Sequence, residues 1–195
     1  MSAGFGEAAV ALARSAVRSE VYGSETMRIP PDPRFAEPSG AFVTLNTHPS
    51  GDLRGCIGYP MPSMPLGEAI VGSARAACHD PRFPPLSGSE VDGVTVEVTV
   101  LTVPAEIEFS DPSELPEKVV VGRDGLIIEY GGRRGLLLPQ VPVEYGWDAG
   151  TYLEHLSMKA GMPPDAWMLP GVRLWAFGGE VWTERYPGGP AEELR

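Results

Sequence analysis

Residues 94–103 contain the pattern that most constrains the fold of this chain, an alternation of valine with polar side chains. The valines occupy one set of positions and the polar residues the other: Val94, Val96, Val98 and Val100 against Thr95, Glu97 and Thr99. In an extended chain, successive side chains point to opposite faces, and β-branched residues favour strands. The pattern therefore predicts a strand with one face buried in a hydrophobic core.

Strand and helix signals recur along the chain, without the regular strand–helix–strand order of a parallel sheet. Further strands are predicted at 41–47, 53–57, 125–130, 134–138 and 172–184, and helices at 8–22, 66–77 and 151–160. Gly131 and Gly132 predict a tight hairpin, since glycine allows positive φ. Gly178 and Gly179 predict a bulge or turn within the last strand, and 187–195 is expected to be a mobile polar tail. The sequence thus predicts an α+β fold, a mainly antiparallel sheet with flanking helices.

Composition excludes several classes of function for the 195-residue chain. Its net charge of −11 opposes the phosphate backbone, so we expect no binding to duplex nucleic acid. No apolar run approaches the ~20 residues that span a bilayer, so we expect no membrane segment. The first seven residues lack the pattern of a secretory signal. Two cysteines are too few for a disulfide framework, which indicates a cytoplasmic protein.

The run from Leu53 to Gly58 is the first candidate site. On a strand, Arg54 and Cys56 lie two residues apart and share a face. A guanidinium near a thiol favours the reactive thiolate, so Cys56 is a candidate nucleophile and Arg54 a candidate for gripping an anionic group. The alternative is a cysteine that serves as a small apolar residue beside a surface arginine.

A second candidate site follows the helix predicted at 66–77. His79 is a candidate base for Cys56, oriented by Asp80, and Arg82 is a candidate substrate contact. The alternative is structural: His79 stabilises the helix C-terminus, and Asp80 forms a turn and pairs with Arg82. No metal site is predicted, because the two cysteines and the histidines lack ligand spacing.

Gln140 is the last candidate substrate contact. It lies between Pro139 and Pro142, so its backbone is stiff and its amide is held in place. The alternative for this stretch is packing around Trp147 and helix capping by Asp148.

Together these segments resemble the AMMECR-type domain family. Leu53 to Gly58 is similar to its LRGCIG hallmark, and Asp80 to Phe83, with Pro85, is similar to its DPRF-x-P element. The other matching segments are 94–101, 122–126, 135–141, Trp147-Asp148, 159–161 and Trp167. Order and spacing agree from the first helix to Glu184, which makes the match specific.

The resemblance implies a single domain over 1–195 with two unequal subdomains around a cleft. The larger would use both chain ends, about 1–45 and 108–195, and the smaller would span about 46–107. It also implies partners, Memo-like and radical-SAM proteins of the AmmeMemoRadiSam system. It names no reaction, cofactor or ligand.

Two hypotheses follow from residues and resemblance together. One is a cleft protein that binds or transforms a small molecule or modified substrate, through Cys56 and with Arg54, Asp80, Arg82 and Gln140 around it. The other is a non-catalytic interaction module whose cleft recognises a partner peptide.

Overall fold

The structure is a computed structural model that describes residues 3–23 and 27–194. Its helices are α1 (Ala3–Tyr22), α2 (Leu66–Ala77), α3 (Leu115–Lys118), α4 (Gln140–Glu144) and α5 (Ala149–Lys159). Its strands are β1 (Ala41–Thr47), β2 (Leu53–Tyr59), β3 (Val94–Leu101), β4 (Ala105–Glu106), β5 (Gly125–Tyr130), β6 (Arg133–Leu137), β7 (Arg173–Phe177), β8 (Gly179–Glu184) and β9 (Ala191–Leu194). By its internal packing the chain divides into unit 1, the described part of Met1–Thr102 and Gly179–Arg195, and unit 2, Val103–Gly178.

Unit 1 contains a five-stranded antiparallel sheet in the order β2-β1-β3-β8-β9. Helices α1 and α2 pack against each other and against the sheet. Small side chains allow this close approach, because fully buried alanines lie on both helices: Ala9, Ala13, Ala16, Ala69, Ala74 and Ala77. The unit therefore has one hydrophobic core, between its helices and one face of its sheet.

The valine-rich strand β3 lies at the centre of this sheet, between β1 and β8. The valine face is buried, with Val96 and Val98 fully inaccessible. On the other face, Glu97 and Thr99 are only half-buried. The predicted strand and its predicted buried face are thus confirmed.

Unit 2 contains a four-stranded antiparallel sheet in the order β4-β7-β5-β6. Helix α5 supplies Tyr152, the largest fully buried side chain of the described residues, to a core shared with Leu126, Ile128 and Leu174. Gly131 and Gly132 form the predicted tight turn between β5 and β6, with φ of 57° and 78°. Both units combine antiparallel sheets with helices, which confirms the α+β prediction.

Two predictions about the end of the chain are wrong. The strand predicted at 172–184 is two strands, β7 and β8, which belong to different sheets, and the chain passes from one unit to the other at Gly178 and Gly179. A continuous apolar pattern does not show that a chain changes sheets. The predicted mobile tail contains β9, which pairs with β8 from Val181↔Leu194 to Glu184↔Ala191.

The boundaries of the units also differ from those drawn from the resemblance. The predicted central subdomain, 46–107, would separate β1 from β2 and β3. In the structure β1 is hydrogen-bonded to both of these strands, so all three belong to unit 1. The compact inserted segment is Val103–Gly178 instead. No described helix is long and apolar enough to cross a membrane.

Candidate functional site

Strand β2 is an edge strand of the first sheet, and Cys56 lies near its middle. The backbone N–H of Cys56 donates to Oδ2 of Asp80 at 2.9 Å, and its carbonyl oxygen accepts from Nη2 of Arg82 at 3.3 Å. These two groups point away from β1, where a further strand would otherwise bind them. The loop that follows α2 therefore closes the sheet edge at Cys56 with side chains.

Asp80 organises this loop. Its side chain is buried, and besides the Cys56 N–H it accepts hydrogen bonds from Arg82: backbone N (3.0 Å), Nε (3.1 Å) and Nη2 (2.7 Å). The hydrogen bonds from the Arg82 guanidinium, with those from the two backbone N–H groups, hold the pKa of Asp80 far below its usual range. The group is therefore a carboxylate at any physiological pH.

Arg54 is held by a separate carboxylate. The register between β1 and β2 shifts beside Asn46, which leaves Arg54 as the residue that the ladder skips. Its buried guanidinium donates Nε to Oε1 of Glu90 at 2.8 Å, and Nη2 to Oε2 of Glu90 at 3.2 Å and to the Pro84 carbonyl at 3.0 Å. The hydrogen bonds from Arg54, with those from Ser87, lower the pKa of Glu90 to about 2.

Phe83 joins the two ion pairs. The guanidinium carbons of Arg54 and Arg82 each lie 5.8 Å from the centroid of its ring, within the range of cation–π contact. Arg54, Cys56, Asp80 and Arg82, four of the predicted site residues, thus come together around the edge of β2.

Cys56 is a partly exposed residue, and its thiol accepts a hydrogen bond from the Thr44 hydroxyl at 3.3 Å. The other cysteine, Cys78, is fully buried at the end of α2, and burial raises the pKa of its thiol to about 11. Of the two cysteines, Cys56 is therefore the one that a ligand can reach.

Glycine at position 55 allows β2 to approach the end of α2. A Cβ atom at Gly55 would lie 2.3 Å from the carbonyl oxygen of Ala77, a backbone atom that cannot move aside. At Gly58 it would lie 2.3 Å from the ring of Phe42. Close packing therefore explains why glycine occupies both positions, 55 and 58, on either side of Cys56.

Two predicted site residues are not joined to this cluster by any contact that the structure describes. His79 is exposed, and its Nε2 lies 2.9 Å from Oε1 of Glu20 on α1. Gln140 is exposed at the start of α4, in unit 2. The roles suggested for His79 as a base and for Gln140 as a substrate contact stay predictions.

Two residues of the site were missed in the sequence, Thr44 and Glu90. Thr44 lies opposite Cys56 only through the register of β1 with β2, which no local pattern predicts. Glu90 lies 36 residues from Arg54, and nothing local in the sequence pairs them.

Comparison with known proteins gives the same family along most of the chain. The family model described as AMMECR1 matches residues 10–182. A protein of Methanocaldococcus jannaschii is 49% identical over 191 residues, covering 97% of this chain and 95% of that protein. A protein of Thermococcus gammatolerans is 49% identical over 192 residues, covering 95% and 93%.

A solved structure has the same fold. The crystal structure of an uncharacterized protein from Pyrococcus horikoshii superimposes with a TM-score of 0.76 at 45% sequence identity, covering 98% of this chain and 97% of that one. The matched family segment includes both β2 and the loop after α2. The chain therefore belongs to the AMMECR1 family.

Proposed function

We propose that the edge of β2 around Cys56 is the ligand-contacting site of a cleft protein that binds or transforms a small molecule or a modified substrate. The observation that carries this proposal is the way in which side chains bind the backbone of Cys56. Both its backbone polar groups are bound by the Asp80–Arg82 pair, and the residue is still partly exposed.

Such an arrangement suits a group that must be held in place for a ligand. An unpaired edge strand has free backbone groups and moves more than a central strand. Side chains that bind those groups fix the position of Cys56, and well-fixed groups bind and react more effectively. Arg82 binds Asp80 while 56% of its side chain stays exposed, so the residue that fixes Cys56 also lies at the surface.

The wider context is part of the same proposal. We expect the protein to act in the cytoplasm, beside the Memo-like and radical-SAM proteins that the family resemblance implies. In such a system the chain would bind or modify a substrate that its partners also handle. Cys56 would supply either a nucleophilic or a redox-active thiol.

A matched pair of cysteine variants tests this proposal. Wild-type protein, Cys56→Ser and Cys78→Ala would each be incubated with a small-molecule extract, washed, and analysed by mass spectrometry for retained compounds and covalent adducts. We expect compounds or adducts that Cys56→Ser loses and Cys78→Ala keeps. Circular dichroism checks that each variant is folded. Identical retention by Cys56→Ser and wild type would contradict a role for the thiol.

The second candidate is a non-catalytic module that recognises a partner peptide. It is favoured by one observation: Arg54 and Arg82 already have carboxylate partners, as expected of structural arginines. Strand addition at β2 is not the mode we expect, because Asp80 and Arg82 occupy the edge at Cys56. In this case partner binding would survive Cys56→Ser.

A further inference from the structure

A row of polar side chains crosses the first sheet on the face opposite its valines. Thr44 on β1 is the direct cross-strand neighbour of Cys56 on β2 and of Glu97 on β3. Directly paired residues of adjacent strands point to the same face. Cys56, Thr44 and Glu97 therefore form one line, with the Thr44 hydroxyl 3.3 Å from the Cys56 sulfur.

Glu97 is the charged member of this row, and its carboxyl group has no partner among the described residues. It is half-buried, and no described residue forms an ion pair or hydrogen bond with its carboxyl group. Its neighbours along and across the sheet on this face are neutral hydroxyl residues: Thr95, Thr99, Thr44 and Thr183. Burial raises the pKa of Glu97, as expected of a carboxylate that lacks a compensating charge.

The other charges near Cys56 are already neutralised in pairs. Arg82 is bound by Asp80 and Arg54 by Glu90, each through two guanidinium nitrogens. Among the described residues in line with the thiol, the carboxyl group of Glu97 thus carries a charge without an ionic partner. A half-buried carboxylate without a partner lowers the stability of the fold, and a bound cation would offset that cost.

We propose that Glu97 determines the specificity of the Cys56 site, by binding a cationic group, such as an ammonium, of the same ligand that contacts the thiol. This inference rests on the proposed function, since it requires Cys56 to face a ligand. The inference reverses the charge expected of the ligand from the sequence, in which Arg54 is a candidate for gripping an anionic group. The site instead selects a ligand with a positive group. The two arginines, each paired with a carboxylate, hold the strand and loop in position.

The spacing of the strands limits the size of this ligand. Cys56 and Glu97 are separated by one intervening strand, so their Cα atoms lie about 10 Å apart, two strand spacings. Both side chains rise from the same face and the glutamate is long and flexible. A small ligand therefore suffices: if one of its atoms contacts the sulfur of Cys56, a cationic group a few bonds away can reach the carboxyl group of Glu97.

Thiol-modifying probes of opposite charge test the inference. Aminoethyl and sulfonatoethyl methanethiosulfonate have the same reactive group: the thiolate forms a disulfide with the reagent, methanesulfinate leaves, and the thiol proton passes to buffer. The rate of Cys56 modification by each probe would be measured by peptide mass spectrometry, normalised to its rate with glutathione. Four forms would be compared: wild type, Glu97→Gln, Glu97→Asp and Glu7→Gln.

We expect wild-type Cys56 to prefer the cationic probe by at least about tenfold, because charges interact strongly at this range near a protein surface. Glu97→Gln should lose the preference and Glu97→Asp should keep it. Glu7→Gln makes the same change in net charge at an exposed position on α1, and it should keep the preference. Urea unfolding checks that each form is folded. If Glu97→Gln is not, Glu97→Thr replaces it, since threonine matches the neighbouring residues on this face and also removes the charge.

The failures of the two proposals are distinguishable. If Cys56 reacts with both probes and wild type and Glu97→Gln show the same charge preference, the role of Glu97 is wrong and the proposed function stands. If neither probe modifies Cys56 in the folded protein, the thiol is not accessible and both proposals fall.

Discussion

The carboxylate of Asp80 binds the backbone N–H of Cys56 at 2.9 Å, in the place where a neighbouring strand would put a carbonyl oxygen. Arg82 completes the substitution from the donor side, by binding the Cys56 carbonyl. The side chains of these two loop residues thus make, at Cys56 alone, the hydrogen bonds that a neighbouring strand would make. The stability of the loop and the placement of the thiol are therefore coupled.

Replacing Asp80 should destabilise unit 1. Asp80→Asn removes one charge and one acceptor oxygen from a buried group that receives four hydrogen bonds, and it leaves Arg82 without its carboxylate. We expect a loss of about 2–3 kcal/mol in the free energy of unfolding, measured by urea titration. Asp52→Asn, at an exposed turn, should change it by less than about 0.5 kcal/mol. Equal effects of the two substitutions would contradict the role of Asp80.

Acid should weaken the same region through Asp80 and Glu90. Both carboxyl groups have pKa values below their ordinary 3.8 and 4.5, the value of Glu90 being about 2. Because the folded values are depressed, the stabilisation is fully present above about pH 4.5 and is lost as the pH falls toward 2. The free energy of unfolding of wild type should therefore drop across this window. The drop should be smaller in Glu90→Gln, and an unchanged pH profile in that variant would show that the pair contributes nothing.

Gly55 should tolerate no side chain. In Gly55→Ala the new Cβ would lie 2.3 Å from the Ala77 carbonyl oxygen, so β2 or the end of α2 must shift. We expect a loss of about 3 kcal/mol in the free energy of unfolding, with altered chemical shifts at Cys56. Gly4→Ala is the matched control, since no atom of the described residues lies within 4 Å of its Cβ position at the start of α1, and it should cause no loss of stability. A neutral Gly55→Ala would mean that strand and helix are less closely packed.

The two cysteines should differ in reactivity toward a neutral alkylating reagent. Cys56 is partly exposed, whereas Cys78 is fully buried with its thiol pKa raised to about 11. At pH 7.5 we expect iodoacetamide to modify Cys56 at least about a hundredfold faster than Cys78, and both at similar rates in denaturant. Peptide mass spectrometry resolves the two sites. Faster modification of Cys78 in native protein would contradict the described burial.

The sequence predicted those parts of the fold that depend on local pattern. The bounds of β1 and α2 match the prediction because a proline-bounded loop and a clear periodicity mark them. It did not show that the chain changes sheets between Phe177 and Gly179, since apolar residues continue on both sides. Such a change depends on which partners are available in space.

For the candidate site, the sequence likewise predicted residues with local signals and not their long-range partners. Side-chain chemistry and the family motifs point to Arg54, Cys56, Asp80 and Arg82, and these four residues lie together. The partners that decide their roles come from pairing at long range. Glu90 neutralises Arg54, and Glu97 lies in line with the thiol through the register of three strands.

The position of unit 2 within the chain bears on how the protein is made. Leu101 and Gly179 are opposite each other in the β3–β8 ladder, so the chain leaves and re-enters the first sheet at points about 5 Å apart. On the ribosome, all of unit 2 is synthesised before β8 exists, so the unit that begins first is completed last. A gene in which a two-residue turn joins β3 directly to β8 would encode these two strands as a hairpin, and the first sheet without an insertion.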